Sequence, residues 1–174
     1  MVYAVIDRKS CKAYTYLADV FDAIGEEVAA HNWLITDADI AAVGGPLDAL
    51  NTDKYRTIVN GIVIPSSMPK YHFLSGEELA EIVRREDAQW LWGVLSGFDK
   101  SIPLKEIIKS PLPWADGYAG FWQNPPTIQH PLADIEIVAW DGEWMLLFSR
   151  KKETIDRFRA KFPACEELSA YNAE

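Results

Sequence analysis

A chain of 174 residues with 49% hydrophobic and 25% charged residues has the composition of one globular domain with a sizeable core, and excludes a disordered or fibrous chain. Its formal net charge of −9 opposes nonspecific attachment to nucleic acid or to an anionic membrane and favours a basic partner. Seven Trp, seven Tyr and seven Phe form an aromatic load of the kind that dominates a core or an interface.

The start, "MVYAVIDRKSCK", sets a short apolar run before a charged cluster. It has neither the pattern of a signal peptide nor the roughly 18 apolar residues of a membrane helix, so a soluble, cytoplasmic protein is expected, with Cys11 and Cys165 as free thiols. "VYAVI" reads as a strand. A helix is expected from Ala13 to Ala30: Leu17, Val20, Phe21, Ile24 and Val28 make one apolar stripe, and Asp19, Asp22, Glu26 and Glu27 take the other side. "NWLIT" is a candidate strand, and Gly44-Gly45-Pro46 breaks the segment that follows. "YRTIVNGIVIP" is β-rich, with Asn60-Gly61 as a tight turn or a bulge.

In "LSGEELAEIVRRE", Ser75 and Glu78 predict a capping box, and Leu79, Ile82 and Val83 a buried stripe. "AQWLWGVLSGF" is apolar nearly throughout, as expected of a strand covered on both faces. "PLKEIIKS" predicts a short helix with Pro103 near its start. Then comes "PWADGYAGFWQNPPTIQHP", Pro113 to Pro131. A loop of this length is uncommon inside a compact domain, and is usually functional or anchored by its own side chains. It reads as a lid, a binding surface, or a connection pinned by its rings. Tucked rings are favoured, because so many exposed ones would make the molecule sticky.

"ADIEIVAWDGEWMLLFS" is the strongest hairpin signal, with Asp141-Gly142 as a two-residue type I′ turn. That register pairs Trp140 with Glu143, Ala139 with Trp144, Ile137 with Leu146 and Ile135 with Phe148. Ile135, Ile137, Ala139, Trp144, Leu146 and Phe148 then share the core face; Glu136, Val138, Trp140, Glu143, Met145 and Leu147 share the other, partly covered one. A last helix, Lys152 to Phe162, buries Ile155, Phe158 and Phe162 and is stopped by Pro163. The expected fold is α+β in a single domain: a mainly antiparallel or mixed sheet, three helices packed on it, and a C-terminal β-hairpin followed by a helix.

Signatures of chemistry are sparse. His31, His72 and His130 stand in separate segments, without metal-ligand spacing. His31 suits a helix C-terminus, and His130 a role in fixing the loop. Ser66-Ser67, Ser96 and the cysteines lack a nucleophile elbow or a cysteine-enzyme signature, and "AAVGGP" lacks the Lys-Ser/Thr of a P-loop. Glu26-Glu27, Asp37/Asp39 and Glu77-Glu78 read as solvated or capping acids. No catalytic, cofactor or metal residue is therefore assigned, and a non-enzymatic protein is expected. Charge is uneven. Nine acids and three bases lie between Met1 and Asp53, and six bases and two acids between Arg150 and Lys161; both segments read as solvated helix faces. Trp114, Tyr118, Phe121 and Trp122, with Gln123 and Asn124, mark the one place where an apolar pocket with polar tips is expected, as a carbohydrate-like ligand would require.

"HNWLITDADI", "FLSGEELAEIV" and "IEIVAWDGEWMLLFSRKKETIDRF" resemble, in order and spacing, an uncharacterised family of small bacterial α+β proteins. Those are similar in turn to immunity proteins encoded beside secreted polymorphic toxins. The resemblance runs from Tyr16 to Phe162, leaves out the Trp-rich stretch from Pro111 to His130, and carries over no functional residue. It implies a cytoplasmic antidote that binds one cognate toxin, such as a basic nuclease, and blocks its active site. The expected contact surface combines Asp22, Glu26, Glu27, Asp37 and Asp39 with the rings of Trp114, Tyr118, Phe121 and Trp122. The alternative is an enzyme or small-molecule binder with its site beneath the 113–131 loop. A third reading is self-association through the second face of the hairpin; monomer and homodimer both stay open.

Overall fold

The computed structural model describes residues 1–8, 16–52, 57–59, 62–64, 69–86 and 88–173, with backbone alone at 57–59 and 62–64. The chain begins with β1 (Tyr3–Asp7), followed by α1 (Leu17–Ile24), α2 (Glu27–Ala30) and β2 (His31–Ile40). The single helix expected from Ala13 to Ala30 is thus two. Gly25 takes φ +61 and closes α1 through its amide to the Phe21 carbonyl; a left-handed residue ends a helix at little cost when it lacks a β-carbon. Next come α3 (Gly45–Asp48), started by Pro46, the short hairpin β3 (Thr57–Val59) and β4 (Ile62–Ile64), and β5 (Tyr71–Ser75). Cys11, Ala13 to Thr15, Asn60-Gly61 and Ser66-Ser67 lie outside the described residues.

The helix α4 (Gly76–Arg85) has the expected capping box: the Glu78 amide donates to the Ser75 hydroxyl and the Ser75 amide to the Glu78 carboxylate. Leu79 and Val83 are buried on it, and Ile82 is half-buried. A β-carbon on Gly76 would collide with the Val28 carbonyl, so glycine is what lets α2 and α4 meet. The chain continues through β6 (Trp90–Asp99), α5 (Leu104–Ile107), β7 (Ile135–Trp140), β8 (Trp144–Ser149), α6 (Lys152–Lys161), β9 (Glu166–Glu167) and α7 (Leu168–Tyr171).

The fold is α+β. Seven strands form one antiparallel sheet in the order β5-β2-β6-β7-β8-β1-β9. Between β6 and β8, β7 sits centrally, which explains why both its faces are apolar. One face carries Val5, Ile35, Leu95, Ile137 and Leu147 and is covered by α1, α2, α4 and α6 through Val20, Ile24, Leu79 and Phe158. The other carries Ile6, Leu34, Val94, Val138, Leu146 and Phe148 and is covered by the segment after α5 through Ala115, Phe121, Ile128 and Ala133.

The hairpin register differs from the expected one. Trp140 pairs with Trp144, Ala139 with Met145, Ile137 with Leu147 and Ile135 with Ser149, so Asp141, Gly142 and Glu143 form a three-residue turn. The Gly142 amide donates to the Leu91 carbonyl at 2.6 Å and the Glu143 amide to the Trp140 carbonyl at 3.2 Å, which ties the turn to β6 as well as to itself. A slip of one residue moves every β8 side chain to the other face. Met145 and Leu147, not Trp144, Leu146 and Phe148, therefore share the helix-covered face with Ile135, Ile137 and Ala139.

Candidate functional site

Between α5 and β7 the chain has one short helical turn, Ala119–Trp122. Chain without regular structure that lies on a core must find partners for its own amides and carbonyls. Here side chains supply them. The Asp37 carboxylate accepts from the Ala115 and Asp116 amides at 2.8 and 2.9 Å. Asp37 stands at a bulge in β2 with φ +51, a conformation Asp tolerates better than most residues. Gln129 donates to the Trp114 carbonyl and accepts from the Trp114 amide. Asn172 reaches the Phe121 and Gln123 carbonyls, and Arg150 those of Pro131 and Ala133.

Beneath the segment, Ser96, Glu136 and His130 come together, a set that sequence reasoning did not assemble. Ser96 and Glu136 face each other on β6 and β7. The Ser96 hydroxyl donates to Glu136 Oε1 at 2.9 Å, the His130 amide donates to the same oxygen at 3.4 Å, and the Gln129 amide donates to Oε2 at 2.8 Å. Burial pushes the Glu136 carboxyl up to about 7, against the pull of these three donors. A Ser, a Glu and a His in one place invite comparison with a nucleophile and its base. The geometry does not provide that pairing. The His130 ring directs Nε2 to the Ile107 carbonyl at 3.0 Å and takes the Leu132 amide on Nδ1 at 3.2 Å, so both nitrogens serve the backbone. Burial also holds the imidazole below its ordinary value. All three residues are within 1% of complete burial.

Above this layer runs a network of rings. Across the end of the sheet, Trp92 on β6 meets Trp140 on β7 edge to face at 5.0 Å. Trp122 lies against Trp140 at 5.0 Å, Trp144 at 6.2 Å and Tyr171 at 6.0 Å. The Arg8 guanidinium closes the row, 4.5 Å over the Tyr171 ring and paired with Glu166 at 3.1 Å. At the other end Asp39 stands opposite Trp92 in register, and the turn between Trp140 and Trp144 presents exposed Asp141 and Glu143. Trp92, Trp122, Trp140, Trp144 and Tyr171 are each half-buried. The five form one contiguous, partly exposed ring cluster. Trp122, Trp144 and Tyr171 are in mutual contact at one end, and Asp39, Asp141 and Glu143 stand next to its members in register or in sequence.

The nine residues expected to share a contact surface are divided by the sheet. Asp37 and Asp39 are brought to the rings. Trp114 is 45% exposed and packs on half-buried Tyr118 at 4.8 Å. Phe121 is fully buried, wedged between Trp140 and Phe148. Asp22, Glu26 and Glu27 lie on the helical side instead, held by α6 and the residue before it: Lys161 pairs with Asp22 at 3.3 Å, Arg157 with Glu26 at 3.3 Å, and buried Glu27 takes both Lys151 and Arg157. Lys151, Arg157 and Lys161 of the basic segment thus pair with Asp19, Asp22, Glu26 and Glu27 of the acidic one. The space beneath the 113–131 loop is filled by Phe121, Ile128, Ala115 and Ala133, and the same residues cover the second face of the hairpin.

Among the described residues, no three His, Cys, Asp or Glu side chains converge as metal ligands, and no helix is long and apolar enough to cross a membrane. The rings missed in the sequence had a readable signal, because Trp92, Trp140 and Trp144 stand at the ends of neighbouring strands. Glu136 had one too, as a lone acid between Ile135 and Ile137. Compared with known families, curated proteins and solved structures, the chain matches no family model, no curated protein and no solved structure.

Proposed function

We propose that the chain is a non-enzymatic protein-binding domain of the immunity type, which neutralises a cognate toxin in the cytoplasm through its aromatic row and acidic rim. The observation that carries this reading is the contiguous cluster of half-buried rings from Trp92 to Tyr171, with Asp39 opposite Trp92 in register and exposed Asp141 and Glu143 in the turn between Trp140 and Trp144. Rigid rings give large contact area at small entropic cost, and rim carboxylates speed encounter with a basic partner. The titratable groups beneath the loop are engaged by backbone, which supports a binding role over a catalytic one. The acids of α1 and α2 are engaged by α6, so the contact surface is centred on the rings.

The test is co-expression with the product of the neighbouring gene. That product should be lethal alone and harmless beside this chain, and replacing Asp141 and Glu143 by Lys should slow association without unfolding the protein. A neighbour that is harmless alone, or that stays lethal in the presence of this chain, defeats the reading. A second reading, a small-molecule binder, draws on a cleft of about 370 Å³ lined by Phe21, Val28 and Val83 with Asp22 and Arg84. Its size fits a drug-sized apolar ligand. Saturable binding of such a ligand, lost on replacing Val83 by Trp, supports it.

A further inference from the structure

Glu136 is the point at which the 113–131 loop is bonded to the centre of the sheet. Its two oxygens take one hydroxyl from β6 and two amides from the loop's C-terminal end. All three donors are neutral. The groups that face it are Ser96 from β6, Phe148 from β8, and Tyr118 and the His130 amide from the loop; just before its strand stands Asp134, half exposed and paired with Arg150. A carboxyl group in such a place has a simple choice. While the loop is closed, ionisation leaves a buried charge without a cation. When the Gln129–His130 end lifts, water reaches the carboxylate and ionisation becomes easy.

We propose that Glu136 is a proton-linked latch that fastens the Gln129–His130 end of the loop to the sheet. The geometry accommodates both states of the latch. In the ionised form, Ser96, Gln129 and His130 all donate to the carboxylate. On protonation the proton, taken from solvent, sits on the carboxyl, and the carboxyl and the Ser96 hydroxyl keep one hydrogen bond between them. Oε2 keeps the Gln129 amide, and only the 3.4 Å contact with the His130 amide is given up.

The sign follows from linkage. In the closed state burial pushes the Glu136 carboxyl up to about 7, from the ordinary value of 4.5 for a solvated Glu. Closing therefore takes up a proton between these values, and rising pH favours opening across that window, by about tenfold per pH unit, with no further change above it. His130 acts in the opposite sense. Burial lowers its pKa, so acid favours opening through the imidazole. Wild-type opening alone would mix the two contributions, and a comparison with Glu136→Gln separates them.

The experiment is hydrogen exchange at the Gln129 and His130 amides, corrected for intrinsic exchange, in the wild type and in Glu136→Gln. The ratio of wild-type to variant opening constants cancels the His130 contribution. It should rise about tenfold per pH unit between pH 5 and 7, then level off. A ratio flat from pH 4 to 8 overturns the latch. If Glu136→Gln does not fold, the wild type still decides the matter through carbon-13 titration of the Glu136 carboxyl. A midpoint near 7 shared by the Gln129 amide resonance supports the latch, and a midpoint near that of a solvated Glu refutes it. Neither readout involves a partner, so the outcome is independent of the proposed function.

Discussion

The sheet face under α1, α4 and α6 is covered by helices whose backbone groups bond largely within themselves. The opposite face is covered by the 111–133 segment, whose backbone has to be satisfied from outside. This difference explains where the polar side chains are. On the helical side the buried layer is mainly aliphatic with Trp33, Trp90 and Phe158; Asp7 is buried there too, and buried Glu27 is met by the cations of Lys151 and Arg157 rather than by backbone amides. On the loop side Asp37, Ser96, Glu136 and His130 are drawn inward because amides and carbonyls there need them. The buried Glu136 carboxyl is thus a structural consequence of covering this face with a loop, before it is a sign of chemistry.

The largest effect expected on this comparison comes from the ring at the heart of each layer. Phe121 on the loop side and Phe158 on the helical side are both fully buried. Replacing either by Ala should cost about 3 to 5 kcal/mol in urea unfolding, as large-to-small changes in a packed core do. Equal losses mean that the loop is as much core as the helices are. A loss below about 1 kcal/mol for Phe121→Ala, with Phe158→Ala at full cost, would mean that the loop peels off independently.

A smaller effect tests the claim about backbone partners. Asp37→Ala removes the acceptor of two amides and leaves a residue with a β-carbon at φ +51. The expected loss is about 2 to 3 kcal/mol, the scale for hydrogen bonds to a charged group and for an amide left buried without a partner. Asn at this position tolerates the same backbone and keeps one acceptor oxygen, so Asp37→Asn should lose about half as much. An Ala variant as stable as the wild type would show that the loop is positioned by its rings alone.

The helical face was legible in the sequence because its signals are local. The Leu17 to Val28 stripe, the Ser75–Glu78 capping box and the Ile155, Phe158, Phe162 spacing each declare an element within a few residues. The loop face was not, for two reasons. β8 reads Trp-Met-Leu-Leu-Phe, apolar on both sides, so alternation could not choose between registers, and the Asp141-Gly142 pair favoured the shorter turn. The bond from the Gly142 amide to Leu91 that accompanies the longer turn is a contact with another strand. The partners of the loop are equally distant: Asp37 is 78 residues from Ala115, and Ser96 is 40 from Glu136. Of the expected surface, Trp114, Tyr118, Trp122, Asp37 and Asp39 were gathered on the loop side by the fold, while Phe121 lies in the core. Asp22, Glu26 and Glu27 were not, and nothing local shows that Lys151, Arg157 and Lys161 will come to meet them.

The smallest stability effect should fall on Trp114, and it sharpens the contrast between the faces most. Its ring is 45% exposed and rests edge to face on Tyr118, while Gln129 holds its backbone rather than its side chain. Trp114→Ala therefore removes contact area that is largely wet, and should cost about 0.5 to 1 kcal/mol. Trp122→Ala removes a ring packed against Trp140, Trp144 and Tyr171 and should cost more than twice that. If the loop face is a contact surface, the order reverses for partner binding relative to stability: an exposed ring contributes little to folding and much to association. Calorimetric unfolding and partner titration of the same two variants separate the cases. Parallel losses in both measurements would mean that Trp114 belongs to the fold and that the acidic rim around Asp141 stands alone as the contact.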